Sequence, residues 1–482
     1  MHYLPEFSAL LLYVAILFTI GFFVSRRVKT ATDFMMGGRS LNFWVTALSA
    51  HASDMSSWLF MGYPMVVFNQ GLFLGWWLAV GLIFFMFLNW TLIAPRVRMR
   101  TEEYNSFTFS SFFESRFADT SGMIRIFTAI LSLVFYTIYI SAGMMGLGFL
   151  IESLFEINYY IGISIGIFMV LPYLFFGGYR AIAYIDLFQG FFLLLAICLV
   201  PLFAIGKVGG ISQAIEGITH YNRSFSILPD FSKSTLLTIL FSIGFWGLGY
   251  FGQPHIVTKF MGIAKVSDMK KSMRVGMSWL ILILAAAICI GLIGIPFFEG
   301  HLDNPQLIFV LMVKELFSPF FIALILCAIL AATISTMDSQ ILVLASSLTE
   351  DFYKRIFRKN ASSKELVKIS RFFLLLVTLV SYGIAFFRSN TIYQLVTFAW
   401  SGLGSSFGPL LLFSLFSKKT NKYGAWAGIL TGGIIAILWP YLQRFFGTEM
   451  PTLFPGFFLS SLAIWVISKL TFSKQDQKEE LS

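Results

Sequence analysis

Three carboxylates and one imidazole stand inside otherwise apolar stretches of this chain: Asp54, Asp186, Asp338 and His51. Ionisable groups at such places are costly to bury, so each is a candidate for work on an ion or a polar solute. Each carboxylate could equally cap a helix fragment or hydrogen-bond within a bundle. His51 and Asp54, three positions apart, could form the acid/base pair of an intramembrane acyltransferase. A lone His-x-x-Asp is a short and common pattern, however, and no enzyme is expected.

A second group is the run Ala331-Ala332-Thr333-Ile334-Ser335-Thr336-Met337-Asp338-Ser339, which sets several hydroxyls into an apolar segment. Ser and Thr commonly pack between membrane helices, and that reading stays open. A hard cation such as Na⁺ wants oxygen ligands, which two adjacent hydroxyls and carbonyls freed by an unwound neighbouring helix could supply. Trp58, Tyr139, Trp246 and Tyr250 form a third group. Any one of them could be packing. Together they could wall a small, apolar-bodied substrate, while helix N-termini nearby attract its carboxylate.

The elements that must position these residues follow from composition. Of 482 residues, 57% are hydrophobic and only 12% charged, too apolar a balance for a soluble core. A hydrocarbon layer of about 30 Å takes roughly 20 apolar residues as helix. Such stretches recur at 7–25, 41–66, 71–94, 126–153, 159–177, 182–206, 235–258, 275–298, 318–347, 367–387, 391–416, 423–443 and 452–470, so thirteen spans are expected. The first reads as a retained helix, since no basic segment precedes it and no small-residue cleavage site follows.

Basic residues of cytoplasmic loops set orientation. All but six of the 34 Lys and Arg fall on one side of this span list; Lys207, Arg223, Lys233, Lys314, Arg388 and Arg444 fall opposite. The larger group includes Arg26, Arg27, Lys29, Arg39, Lys259, Lys474 and Lys478. The N-terminus is therefore expected outside and the C-terminus in the cytoplasm. Topology thus accounts for the net charge of +10, and no nucleic-acid partner is expected. Cys198, Cys289 and Cys327 lie within spans and read as packing residues.

Two spans differ from the rest. Span 41–66 holds the polar run from Ser49 to Ser57, and span 235–258 holds Gly244, Gly247, Gly249 and Gly252 before Pro254. Glycine, proline and small polar residues weaken a helix interior, and broken backbone at membrane depth is tolerated where it lines a cavity. The two candidate breaks cross in opposite senses by the span count, the arrangement of an inverted repeat of five helices plus five with a midplane site. The expected parts are 1–40, a first helix and loop; 41–206, repeat one; 235–417, repeat two; and 418–482, two further helices and a short tail after Ser473.

At these segments the chain resembles the sodium/solute symporter family, and within it the bacterial sodium/proline symporters. The residues that carry the likeness are Gly37-Gly38-Arg39-Ser40-Leu41, ALSAHASDMSSW from Ala47 to Trp58 and WGLGYFGQPH from Trp246 to His255. ILAATIST from Ile329 to Thr336, LTEDFYK from Leu348 to Lys354 and FAWSGLGSSFGP from Phe398 to Pro409 extend it. The resemblance implies an all-α, LeuT-like membrane protein of the bacterial inner membrane. It would import L-proline, or another small amino acid or organic solute, with sodium as the coupling ion, by alternating access in membrane lipid.

Position by position, the resemblance implies a sodium site of backbone oxygens at Ala52 and Met55 with Ala332 and the hydroxyls of Ser335 and Thr336. Arg39 and Asp54 match positions tied to sodium dependence and coupling. Ser56, Trp58, Tyr139, Trp246 and Tyr250 match the substrate site, with Pro254 nearby. Some relatives hold a second sodium between the fifth and eighth core helices. Asp186 matches their carboxylate, so Asp186, Asp338 and Ser339 form a possible second cation or proton site. The alternative is that the two carboxylates are apart, with Asp338 capping or facing water. Two positions depart from the pattern: His51 stands where the proline members have a small residue, and Ser57 where they have glycine.

Overall fold

The computed structural model describes residues 4–26, 30–221, 225–387, 391–447 and 450–472. Arg27, Lys29, Arg223, Arg388, Lys474 and Lys478 of the charge pattern, and the tail from Ser473, lie outside the described residues. The described residues hold no strand, and a lone parallel bridge joins Leu41 to Ile263.

The principal helices are α1 (Leu4–Ser25), α2 (Phe43–Met55), α3 (Trp58–Gln70), α4 (Leu72–Glu103), α5 (Met123–Phe155), α6 (Tyr159–Phe175), α7 (Gly177–Val208) and α8 (Lys233–Gly249). There follow α9 (Pro254–Met261), α10 (Met269–Phe297), α11 (Pro319–Ser347), α12 (Ser363–Phe386), α13 (Ile392–Phe416), α14 (Lys422–Phe446) and α15 (Leu453–Leu470). Short helices such as Ala31–Met36 and Phe109–Arg116 fill connections.

Eleven helices among the described residues are long and apolar enough to cross a membrane, against the thirteen spans expected. The other two expected spans are helical but short. Span 41–66 is divided into α2 and α3, each of 13 residues. Span 159–177 is α6, which runs on into α7 as one 50-residue rod bent at Gly178 (φ 54°). A side chain there would meet the carbonyl oxygen of Phe34 at 2.5 Å, so only glycine fits the bend.

Burial separates an inner set of helices from an outer one. The most apolar windows of the α11 and α13 spans are 78% buried, against 28% for α1. Helix α11 packs on α7, α5 and α2, and α13 on α5, α8, α14 and α15. Large apolar side chains such as Phe168, Leu202 and Phe445 stay exposed, as suits a surface solvated by lipid tails.

The first break lies between α2 and α3. Asn42 caps the start of α2 by accepting from the Val45 N–H at 2.9 Å. The helix stops at Met55 because Ser56 adopts φ 41° and ψ −173°, which turns the next amides away. The second break is a single 3₁₀ turn, Tyr250–Gly252, then extended Gln253, after which Pro254 starts α9 where its missing N–H costs nothing. The glycines were expected to weaken this span, yet α8 stays helical through Gly244 and Gly247. They serve contact instead: a Cβ at Gly249 would lie 2.0 Å from the Trp400 Nε1, and one at Gly252 2.7 Å from Gly404 Cα.

Below the core, Asp351 gathers donors from three elements. Ser110, Ser347 (2.5 Å) and Thr108 (3.2 Å) bond its carboxylate, and Arg125 pairs with it at 3.4 Å and with Glu114 at 2.5 Å. Arg355 also pairs with Glu114, at 2.7 Å. The LTEDFYK segment thus anchors the α4–α5 connection to the end of α11.

Candidate transport site

Where α2 stops, two backbone groups lose their helical partners. In a continuing helix the Ser56 N–H would donate to Ala52 O. Here it donates to the Thr336 Oγ1 at 3.1 Å, and Ala52 O accepts the Ser335 hydroxyl at 2.8 Å. Both hydroxyls also reach Ala332 O, at 3.1 and 3.0 Å. Leu59 N, four residues beyond Met55, donates to Ser56 O, which leaves the Met55 carbonyl outside the ladder. Four oxygens of the kind a hard cation takes, Ala52 O, Ala332 O and the hydroxyls of Ser335 and Thr336, therefore meet between α2 and α11, all on buried residues.

Beside this gap is a pocket lined by Asp54, Met55, Ser56, Trp58, Tyr139, Trp246 and Tyr250, completed by Leu82, Val396 and Trp400. The Tyr250 hydroxyl donates to Asp54 at 2.7 Å. Trp58 stacks on Tyr63 and leans on Trp246, both with centroids 5.1 Å apart. Trp400 lies against Trp246 and Tyr250, and its Nε1–H donates to Trp246 O at 3.2 Å. The cavity volume is about 20 Å³, on the order of one water, so the rings are closed on one another.

The structure thus brings together Ser56, Trp58, Tyr139, Trp246, Tyr250 and Asp54, and sets Ala52, Met55, Ala332, Ser335 and Thr336 next to them. Two expected residues lie elsewhere. Pro254 does not line this pocket; as the first residue of α9 it borders a separate crevice with Thr108, Thr128 and Ser346. Arg39 (φ 52°) sits in the connection before α2, donating to Thr101 O at 2.7 Å and Ser106 O at 3.2 Å. His51 is bonded elsewhere than to Asp54: Trp90 donates to its Nε2 at 3.0 Å, and Gly276 packs on its ring. Ser57 lies behind Tyr139 in a small void with Gly143 and Gln340.

Asp186, on α7, and Asp338, on α11, are both fully buried. Asp186 Oδ2 accepts from Ser49 at 2.6 Å and Ser53 at 3.3 Å, and Ser53 meets Ser339 at 3.0 Å. Ser339 donates to Asp338 at 3.3 Å, and Tyr173 donates to its other oxygen at 3.1 Å. The two carboxylates are thus joined through two serines. Sequence reasoning passed over Lys259, whose Nζ lies 2.9 Å from Asp186. It counted this lysine with the cytoplasmic loops, although its side chain is only 2% exposed. Trp400 was also passed over as a pocket residue, despite standing in a recognised motif.

Comparison with known proteins bears on the family and the fold. The sequence profile of the Sodium:solute symporter family matches residues 34–432. The chain is 41% identical to the high-affinity proline transporter PutP of Bacillus subtilis over 459 residues, covering 94% of this chain and 95% of that one. It is 37% identical to the sodium/proline symporter of Escherichia coli K12, covering 97% and 93%. A substrate-bound, outward-open Na⁺-coupled sialic acid symporter has the same fold, with a TM-score of 0.82 at 19% identity over 97% of this chain and 98% of that one. MhsT in complex with L-phenylalanine shares it at 0.57 and 11% identity, covering 88% and 97%. The family match, relatives alike over nearly the whole chain and eleven membrane-length helices among the described residues lead to one conclusion: the chain belongs to the Sodium:solute symporter family and is a multi-pass membrane symporter coupled to sodium.

Proposed function

We propose that this symporter imports L-proline, binding the solute in the aromatic pocket and sodium in the gap between α2 and α11. The observation that carries the reading is the exchange of partners at the break, where Ser335 and Thr336 take up the backbone groups released at Ala52 and Ser56. Those hydroxyls supply oxygens of the kind a hard cation takes, beside the break. Binding sodium to Ala52, Met55, Ala332, Ser335 and Thr336 would fix the break in one geometry, and the break carries Ser56 and Trp58 into the pocket.

Asp54 lines the pocket within two residues of the cation ligands Ala52 and Met55. Its charge serves sodium and the ammonium end of a zwitterion together, which makes each favour the other's binding. Trp58, Tyr139, Trp246 and Tyr250 suit a small apolar ring. Arg39 acts at a distance, by clamping the connection before α2 to the end of α4. The helices from 41 to 206 and from 235 to 417 form the two repeats, with 1–40 and 418–482 outside them. The protein sits in the bacterial inner membrane with its N-terminus outside and its C-terminus in the cytoplasm, as the basic loops require.

The test is uptake of radiolabelled proline into proteoliposomes under an inward sodium gradient, with choline as the control cation and other amino acids and sugars as competitors. Sodium-driven accumulation of unaltered proline, blocked by few competitors, is expected. Accumulation of another solute in preference to proline would transfer the pocket to that solute.

A further inference from the structure

The buried cluster of Asp186, Asp338 and Lys259 has no part in the site just described. Two carboxylates at zero exposure, linked through Ser53 and Ser339, repel one another and need positive charge. A sodium ion could supply it, since Ser49, Ser53 and Ser339 add hydroxyl oxygens to the carboxylates. The chain supplies its own instead: Lys259 Nζ meets Asp186 Oδ2 at 2.9 Å.

The seat of this lysine is built from several elements. Tyr179, the residue after the Gly178 bend, places its ring 5.3 Å from the ammonium. Its hydroxyl donates to Thr258 O at 3.2 Å and Lys259 O at 3.3 Å. Gly262 makes room, because a Cβ there would lie 2.5 Å from that hydroxyl. Asp186 Oδ1, also buried, has no hydrogen-bond partner among the described residues, so this carboxylate keeps ligand capacity that the lysine does not use.

We propose that Lys259 is the resident counter-cation of the Asp186–Asp338 pair, a tethered ammonium in the place of a second coupling sodium. The Asp186–Asp338 cluster then holds no coupling sodium of its own. Because Lys259 is on α9 and Asp186 on α7, the same ion pair fastens the inner half of the second broken helix to its neighbour.

This inference rests on the proposed sodium symport, so its test is read without substrate. Equilibrium binding of radioactive sodium is counted on the purified full-length protein, beside Lys259→Gln and Lys259→Arg. The parent and Lys259→Arg are expected to bind about one ion per chain, and Lys259→Gln about two, since its freed oxygens form a cation site. Should Lys259→Gln fail to fold, the parent count still decides, and the Lys259→Gln/Asp186→Asn double variant is expected to return to about one. A parent that binds two ions, or a folded Lys259→Gln that binds one, overturns the proposal. Failure of proline uptake in the parent would overturn the substrate assignment and leave these counts standing.

Discussion

Thr336 accepts the backbone N–H of Ser56 at 3.1 Å, a bond between helices that stands in for one lost within a helix. Its neighbour Ser335 does the complementary service for Ala52 O at 2.8 Å. Ser335→Ala or Thr336→Ala removes one oxygen from a small ligand set. Loss of such a partner costs about 1–3 kcal/mol, so the sodium concentration for half-maximal uptake should rise by about 5- to 150-fold. Sodium titrations of uptake, normalised to the protein in the membrane, check this; curves that overlay the parent's would remove both residues from the cation site.

The aromatic wall makes a separate prediction. Trp246→Ala and Tyr250→Ala each remove contact area from a small ligand, and Tyr250→Ala also frees Asp54 of its hydroxyl partner. Both should raise the proline concentration for half-maximal uptake, by about tenfold for a loss of about 1.4 kcal/mol. Tyr250→Phe keeps the ring and loses the bond, so it should disturb sodium activation more than proline affinity. Unchanged substrate affinity in both alanine variants would make the cluster packing.

At Gly249 and Gly252 the prediction concerns stability. A methyl at either position meets the Trp400 indole or the Gly404 backbone at under 3 Å. Such overpacking costs typically about 1–3 kcal/mol. Gly249→Ala and Gly252→Ala should lower the melting temperature in detergent, whereas Gly383→Ala, which lies within α12 and meets nothing within 4 Å, should not lower it and should raise it slightly.

Arg125 offers the same kind of measurement at the end of the core. Its guanidinium pairs with Glu114 and with Asp351, whose side chain has no exposure. Removing one partner of a buried pair costs about 3–5 kcal/mol, so Arg125→Met should melt several degrees lower. Adding Asp351→Asn should recover part of that loss; strictly additive effects would deny the coupling.

What could be read from the sequence was whatever depends on residue type and order. Apolar run length announced the membrane helices; Ser56, Trp58, Trp246 and Tyr250 were placed in one site from short motifs, and Tyr139 by the family resemblance. Apolar patterning was less informative where helices join or split: α6 and α7 form one bent rod, and α2 and α3 are too short to count as spans by themselves. Lys259 shows a further limit. Loop composition cannot tell a solvated lysine from one turned inward, because the difference lies in Asp186, 73 residues away. Pro254 was drawn toward the pocket by proximity in sequence to Tyr250, yet the extended Gln253 turns the chain away before it. Trp400 had no charge or spacing to mark it, and its place rests on Gly249 of α8, which leaves room for the indole.

The closure of Trp58 onto Trp246 also bears on the speed of recognition. With a cavity of about 20 Å³, a solute cannot enter the present arrangement by diffusion alone. Arrival must wait for the indoles to part, so the association rate reports the frequency of opening and falls below the encounter limit. The measured dissociation constant is likewise the intrinsic one divided by the fraction of molecules that are open, so closure weakens apparent affinity. A substitution that merely loosens the Trp58–Tyr63 stack, without touching any solute, should therefore speed both arrival and escape.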